Sequence, residues 1–239
     1  HGPISFSVSG PFGAGLDTGP GNLVSAAAIM LRQAAISRGF TPAPVSIHLE
    51  KCLPVSSGIG GGSADAAATL LSLSEIWNLD LDLSGLAQSL GADVLMCLQS
   101  SPLRMQGTGE KLQQLDACPV FHMVLVNPGR GVSTPDVFKG LAAKENPPMD
   151  PDPGNELLSA ALIAQYRNDL EPVTTSLVPE ILECKALLDE AGSLISRMSG
   201  SGATCFGLFP DAASATKAQS LIAAKKPDWW CIATQSAQT

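Results

Sequence analysis

The residues in this chain best suited to chemistry by type and spacing are glycines. The stretch Pro54-Val-Ser-Ser-Gly-Ile-Gly-Gly-Gly-Ser-Ala-Asp-Ala-Ala-Ala68 supplies Gly58, Gly60, Gly61 and Gly62 almost consecutively. A polyphosphate needs several backbone N–H groups converging on it, and these approach closely only where no side chain intervenes. A helix beginning just after such a loop adds unpaired first-turn amides and the positive end of its dipole. Ser63 stands where a hydroxyl can meet a phosphate or the Mg2+ that accompanies ATP. A bare Gly-x-Gly would as readily be a tight turn. Three consecutive glycines, with Pro54 before them and Ser-Ala-Asp after, favour the phosphate reading, with Pro54 and Ser57 as part of the same ATP-holding loop. The spacing excludes two commoner motifs: it lacks the Gly-Lys-Ser/Thr end of a Walker loop and the Gly-x-Gly-x-x-Gly that opens a dinucleotide fold.

Two carboxylates compete for a role beside that loop. Asp93, in Gly91-Ala-Asp-Val, is either a loop residue that turns the chain locally or a base that orients a hydroxyl and accepts its proton. Asp65 follows the glycines and is expected to be a first-turn partner of the helix dipole. Ahead of them, Asn22 stands where a helix cap is wanted, and Lys51 precedes the loop.

These residues must be positioned by elements legible in the pattern. An alternating segment opens the chain, and a Gly/Pro-rich loop through Gly10 to Gly21 leads to an alanine-rich helix after Asn22. Val45 to Lys51 alternates like a half-buried strand and runs into the glycine loop, after which Ala64 to Leu79 reads as a helix. Leu83, Leu86 and Leu90 fall at helical spacing. The segment Gly91 to Leu98 is expected to turn from loop into a buried apolar strand, and Pro102 to Leu112 to form a strand and hairpin. A boundary is expected near Asp116. Beyond it the pattern predicts a strand from Val120, a helix from Thr134 with Pro near its start, a surface loop over 145–155, an amphipathic helix over Val178 to Ala191, a strand at Cys205, a helix over Ala212 to Ala224 and a last strand over Trp229 to Ala233. A second glycine segment, Ser199-Gly-Ser-Gly-Ala-Thr, precedes Cys205, and Tyr166, the sole tyrosine, is expected in a helix.

Composition narrows the function classes. With 239 residues, 45% hydrophobic and 15% charged, the chain can bury one large core or two ordinary ones, and two domains are expected. A formal charge of −8 without a run of Lys or Arg excludes a nucleic-acid footprint. Its six cysteines form no C-x-x-C pair and no short metal spacing with the three histidines, which predicts reduced, mostly buried thiols. With no apolar stretch of about eighteen residues and no signal-peptide pattern, a soluble cytoplasmic protein without membrane partners is expected.

The glycine loop resembles the signature of the GHMP kinase superfamily. Gly91-Ala-Asp-Val, Arg104-Met-Gln-Gly-Thr-Gly-Glu, Val126-Asn-Pro-Gly, Ser133-Thr-Pro-Asp-Val-Phe, Asn168-Asp-Leu-Glu and Met198-Ser-Gly-Ser-Gly-Ala-Thr-Cys-Phe are similar, in order, to one branch of it. That branch phosphorylates the 2-hydroxyl of a cytidine-diphosphate-bearing methylerythritol in the non-mevalonate isoprenoid route. The resemblance runs from about Gly10 to Cys231. It implies an α+β GHMP kinase fold in two parts: residues 1–115, an ATP-binding domain of the ribosomal protein S5 domain 2 type, incomplete at its start, and residues 116–239, a ferredoxin-like domain. The site would lie in the cleft between them.

Roles follow from the same likeness. Asp93 is implied as the catalytic carboxylate; Pro54, Ser57, Gly58, Gly60, Gly61, Gly62 and Ser63 hold ATP, with Ser63 also a candidate for Mg2+. Asn22 and Lys51 flank adenine, although a helix cap and a solvated cation explain them equally well. Thr134 and Phe138 match the segment that grips the cytidine, with Phe138 otherwise a core residue. Gly200 and Gly202 let backbone approach the substrate. The family's early Ala-Lys-x-Asn and Asp-Gly-Tyr-His segments have no counterpart here, so the chain is expected to start downstream of them. A non-catalytic nucleotide-binding remnant, or a kinase for another small alcohol, stays open beside the main reading. A monomer or weak homodimer is expected.

Overall fold

The computed structural model describes residues 3–107, 109, 111–115, 118–143, 145–147, 149 and 158–236. They fall into two compact units. One holds the chain up to Val55 together with Gly60–Gln114; the other holds Ser56–Ile59 and the chain from Leu115 onward. The expected boundary residue Asp116 and, of the expected surface loop, Pro148 and residues 150–155 lie outside the described residues.

In the first unit, β1 (Ile4–Ser9) and β2 (Val45–Glu50) pair in parallel, Ile4 opposite Val45 and Ser9 opposite Glu50. Both alternate: Ile4, Phe6, Val8, Val45, Ile47 and Leu49 are half-buried, while the serines, His48 and Glu50 between them are exposed. Parallel neighbours need a crossover, and α1 (Leu23–Ser37) provides it. Then come α2 (Gly61–Ile76), α3 (Ser84–Leu90), α4 (Ala92–Gln99) and an antiparallel hairpin of β3 (Leu103–Gln106) and β4 (Lys111–Gln114). Ala27, Ala28, Leu31 and Ala35 of α1 face Ala66, Ala67, Leu70 and Leu73 of α2 in one core. So many alanines let the two helix backbones approach closely, and Trp77 closes the far end, its indole N–H donating to Ala43 O at 3.1 Å.

Two expectations in this unit are corrected. Helix α2 begins at Gly61, ahead of the expected Ala64, and ends at Ile76 rather than Leu79. Glycine is a poor helix former, but burial of Ala66, Ala67 and Leu70 against α1 outweighs that propensity. The apolar run expected to be a strand after Gly91 is helix α4. Its Leu, Met and Cys suit a helix as well as a strand, and it lies against α2 and α3 with Val94 and Leu95 buried rather than in a sheet.

The second unit is built on a four-stranded antiparallel sheet. Its strands are β5 (His122–Asn127), β6 (Ile195–Met198), β7 (Cys205–Phe209) and β8 (Trp230–Gln235), in the order β6-β7-β5-β8. Between β5 and β6 run α5 (Thr134–Lys139), α6 (Ala160–Ile163), α7 (Glu171–Leu177) and α8 (Glu180–Glu190); α9 (Ala212–Lys225) joins β7 to β8. With α8 and α9 on the sheet, this is the ferredoxin-like split βαβ arrangement. Val124, Val126, Ile181, Leu188, Cys205 and Ile222 form its core. Helix α7 has no counterpart in the sequence pattern, being short and carrying Pro172 and two threonines, and the helix expected at Tyr166 is the short α6 just before it. Tyr166 lies beyond α6, outside any helix. No helix among the described residues is long and apolar enough to cross a membrane.

The described cysteines are free thiols. Only Cys184 and Cys205 are fully buried; Cys97, Cys118 and Cys231 are half-buried and Cys52 is exposed, so the expectation of mostly buried thiols holds in full for two of the six. The Cys184 thiol is held far above its ordinary pKa by its hydrogen bond to Cys205 and by burial.

Candidate active site

In the first unit Gly60, Gly61, Gly62, Ser63 and Lys51 come together at the head of α2. Gly60 sits in the left-handed region (φ 68°) and turns the chain into the helix. No side chain caps this terminus. The first intrahelical amide bond is Ala64 N–H to Gly60 O at 2.9 Å, so the amides of Gly61, Gly62 and Ser63 lie ahead of the helical ladder. A Cβ on Gly60 would meet nothing within 4 Å. One on Gly62 would only touch Leu23 Cδ1 at 3.8 Å, which puts the head of α1 beside the head of α2.

Asn22, at the head of α1, caps it: Oδ1 accepts the Val24 N–H at 3.0 Å while Nδ2 donates to Asp17 O at 2.9 Å. The capping reading of Asn22 is thus realised. Lys51 is not a solvated cation. It is buried, and its Nζ donates to Asp65 Oδ2 at 2.5 Å. The same Nζ is 3.5 Å from where a Cβ on Gly61 would be, so the ammonium stands over the first residue of α2. Asp65, in turn, is not in the first turn, because α2 starts earlier than expected; its partner is Lys51 rather than the helix dipole.

Asp93 lies in the first turn of α4, exposed to solvent. Its charge reaches Cys97, one turn along, whose pKa is raised chiefly by burial and further by the Asp93 carboxylate. Behind it, a Cβ on Gly109 would fall 2.2 Å from Ala92 Cβ. The β3–β4 hairpin therefore presses on the residue next to Asp93, and only a glycine permits it. Thr108 and Glu110, from the segment matched at the sequence level, lie outside the described residues.

In the second unit, the early part of the first glycine loop meets the second glycine segment. Ser199 Oγ donates to Gly58 O at 2.9 Å, and Thr204 N–H donates to the carbonyl of buried Ser57 at 3.2 Å. The fit is backbone on backbone: a Cβ on Gly58 would fall 2.4 Å from Ser199 O, and one on Gly200 2.7 Å from Gly58 O. A Cβ on Gly202 would strike Met198 Sδ at 2.8 Å and Thr174 Cγ2 at 2.9 Å. Packing alone thus demands these glycines, and any ligand they meet is met through N–H or C=O.

Side chains that sequence reasoning did not single out hold this segment. Asn168 Nδ2 donates to Met198 O at 3.0 Å and Gly200 O at 2.8 Å, while its Oδ1 accepts the Leu170 N–H at 3.0 Å. Thr174 Oγ1 donates to Ser201 O at 3.1 Å, and buried Asn127 donates to buried Thr204 Oγ1 at 2.8 Å. Asn168 and Asn127 stood within matched segments, Asn168-Asp-Leu-Glu and Val126-Asn-Pro-Gly, which was the signal available. Thr134 also reaches the segment, its hydroxyl 2.8 Å from Ser201 Oγ. Phe138 is 51% exposed, so it is not the core residue its helical spacing allowed. Among the described residues no group of three or more His, Cys, Asp or Glu could hold a metal. Ser63 lies in the first turn of α2, next to the glycines.

Comparison with known proteins bears on both units. The family model "GHMP kinases N terminal domain" matches residues 22–101, and "GHMP kinases C terminal" matches residues 154–227. The chain is 48% identical over 237 residues to a 4-diphosphocytidyl-2-C-methyl-D-erythritol kinase of Rhizobium etli (strain CIAT 652), covering 97% of this chain and 79% of that protein. It is 47% identical over 244 residues to the protein of the same name from Brucella melitensis, covering 98% and 80%. A crystal structure of 4-(cytidine 5'-diphospho)-2C-methyl-D-erythritol kinase is similar at a TM-score of 0.79 and 32% identity, over 98% of this chain and 82% of that one. A homoserine kinase from Cytophaga hutchinsonii, at 0.74 and 19% identity over 98% and 82%, shares the fold.

Proposed function

The chain belongs to the GHMP kinase family, and from that premise we propose that it transfers the γ-phosphoryl group of ATP to the 2-hydroxyl of 4-(cytidine 5'-diphospho)-2-C-methyl-D-erythritol. The observation that carries the reading is the uncapped head of α2, where the amides of Gly61, Gly62 and Ser63 precede the helical ladder beside the Lys51 ammonium. Such a terminus suits polyphosphate because unpaired N–H groups and the dipole both favour negative charge. Pro54, Ser57 and Gly58, in the same glycine loop, are further proposed contacts of ATP, and Asn22 and Lys51 are proposed to flank the nucleotide. Mg2+, when bound, neutralises charge on the phosphates, and Ser63 is the residue that would hold it.

A tertiary hydroxyl is a weak, crowded nucleophile, so positioning and charge matter more than covalent chemistry. Asp93 orients that hydroxyl and accepts its proton as the oxygen–phosphorus bond forms and the bond to ADP breaks. Its exposure at the first turn of α4 leaves the carboxylate accessible to a substrate. Thr134, Gly200 and Gly202 offer a hydroxyl and backbone groups to the cytidine-bearing alcohol. The half-exposed Phe138 offers a ring face on which a base could stack. The reaction takes place in solution, in the cytoplasm.

The test is a transfer assay with γ-labelled ATP on the purified chain, comparing the cytidine-bearing alcohol with cytidine-free small alcohols. Transfer confined to the cytidine-bearing acceptor, and reduced about 100-fold by Asp93→Asn, is the expected result. Equal turnover of both acceptors would reject the substrate; ATP binding without transfer to any acceptor would favour a nucleotide-binding role without catalysis.

A further inference from the structure

Lys51 is fixed at both of its ends. Its backbone continues the β1–β2 pairing, with Lys51 N–H donating to Ser9 O at 2.8 Å and Lys51 O accepting the Phe12 N–H at 3.1 Å. A Cβ on Gly10 would fall 2.6 Å from Lys51 O, so the Gly10 turn grips this residue closely. At the other end the ammonium is bonded to Asp65, with side-chain exposures of 9% for Lys51 and 27% for Asp65. A long flexible cation has been given one position, and that position is over Gly61.

We propose that Asp65 is a positioning residue for nucleotide binding: its carboxylate holds the Lys51 ammonium against the first turn of α2 so that one cation and the amides of Gly61 to Ser63 meet the same phosphate group. This rests on the reading of the α2 head as the ATP phosphate site. The physical case is one of entropy and geometry. A free lysine loses its rotamer freedom when it engages a phosphate, whereas a lysine already held in place does not. The cost of confining Lys51 is met on folding, by a charge-assisted bond inside the first unit. Asp65 can do this because it lies in the second turn of α2, fourteen residues from Lys51 in sequence but on the helix that the glycines begin. Its backbone carbonyl is bonded to Thr69 Oγ1 at 2.8 Å, which ties the same turn of α2. A net negative charge placed beside a phosphate site would by itself weaken anion binding, so the pair makes sense as a device for aiming the lysine rather than as added charge.

The test is calorimetric titration of the chain with ATP, ADP and adenosine, for Asp65→Asn, Lys51→Met and the double variant, with circular dichroism on each. Asp65→Asn is expected to weaken ATP and ADP about tenfold and adenosine less than about twofold. The double variant is expected to bind as Lys51→Met alone does, since Asp65 acts only through Lys51, and Asp65→Glu should recover part of the loss. ATP binding by Asp65→Asn equal to or tighter than that of the unsubstituted chain would overturn the inference. So would equal losses of ATP and adenosine, or additive losses in the double variant. If Asp65→Asn fails to fold, Lys51→Met decides: unchanged ATP binding overturns the inference, and a selective loss of ATP over adenosine supports it. An unsubstituted chain that binds neither ATP nor ADP would defeat the kinase reading itself.

Discussion

The two glycine segments look alike in sequence and are used in opposite ways. Around Gly60, Gly61 and Gly62 the space a Cβ would fill is open or met only by side-chain atoms at 3.4 Å or more. Around Gly58, Gly200 and Gly202 that space is occupied, by backbone or by Met198 and Thr174 at less than 3 Å. The first group leaves amides presented at a helix head; the second lets two pieces of backbone lie against each other. Glycine at the open positions leaves room for something else to approach, and glycine at the filled positions is required by the fold whatever its backbone also meets. The dividing line runs through one loop, between Gly58 and Gly60.

Substitution tests that line most sharply at Gly58. Gly58→Ala combines a φ of 73° with a Cβ 2.4 Å from Ser199 O, and should cost on the order of 3 kcal/mol or more in urea denaturation. A near-neutral effect would erase the distinction. On the open side the largest effect should be on rate: Asp93→Asn is expected to lower turnover about 100-fold while leaving ATP affinity and the denaturation midpoint nearly unchanged. Returning to the filled side, Asn168→Ala leaves the Met198 and Gly200 carbonyls and the Leu170 N–H without this partner. A loss of about 2 kcal/mol is expected by the same denaturation assay.

Gly60→Ala should be milder than any of these. Its Cβ meets nothing, so only the left-handed backbone (φ 68°) carries a cost, about 1 kcal/mol. If it destabilised the chain as much as Gly58→Ala, the open space at the head of α2 would not exist in solution. The smallest effect concerns thiol chemistry. Burial pushes the Cys231 thiol up to about 11, and the thiolate is the reactive form, so Cys231 should resist iodoacetamide until the pH nears that value. Exposed Cys52 should be alkylated first, as peptide mass mapping can follow.

Much of this was legible in the sequence because it is local. Alternation gives away β1 and β2, since each buries one face; Asn22 declares the head of α1; and the glycine loop carries the resemblance to the family, which six further segments in order narrow to one branch. Other features required tertiary structure. The run after Gly91 is apolar enough for a buried strand or a packed helix, and only its place against α2 and α3 decides for helix. The start of α2 was misplaced because glycine's poor propensity says nothing of the burial that compensates it. Lys51 and Asp65 lie fourteen residues apart, with nothing in either one's neighbourhood to announce the pairing. The bonds from Asn168, Thr174 and Asn127 to the second glycine segment span 27 to 77 residues, and a buried polar pair at such separation leaves no periodic trace.

The central claim is that the open head of α2 holds the phosphates of ATP. It is tested most directly by following the backbone amide resonances of the chain during titration with ATP and, separately, with adenosine. The amides of Gly61, Gly62 and Ser63 should shift and saturate together with ATP and respond far less to adenosine. Saturable ATP binding that leaves those three amides unmoved would contradict the account.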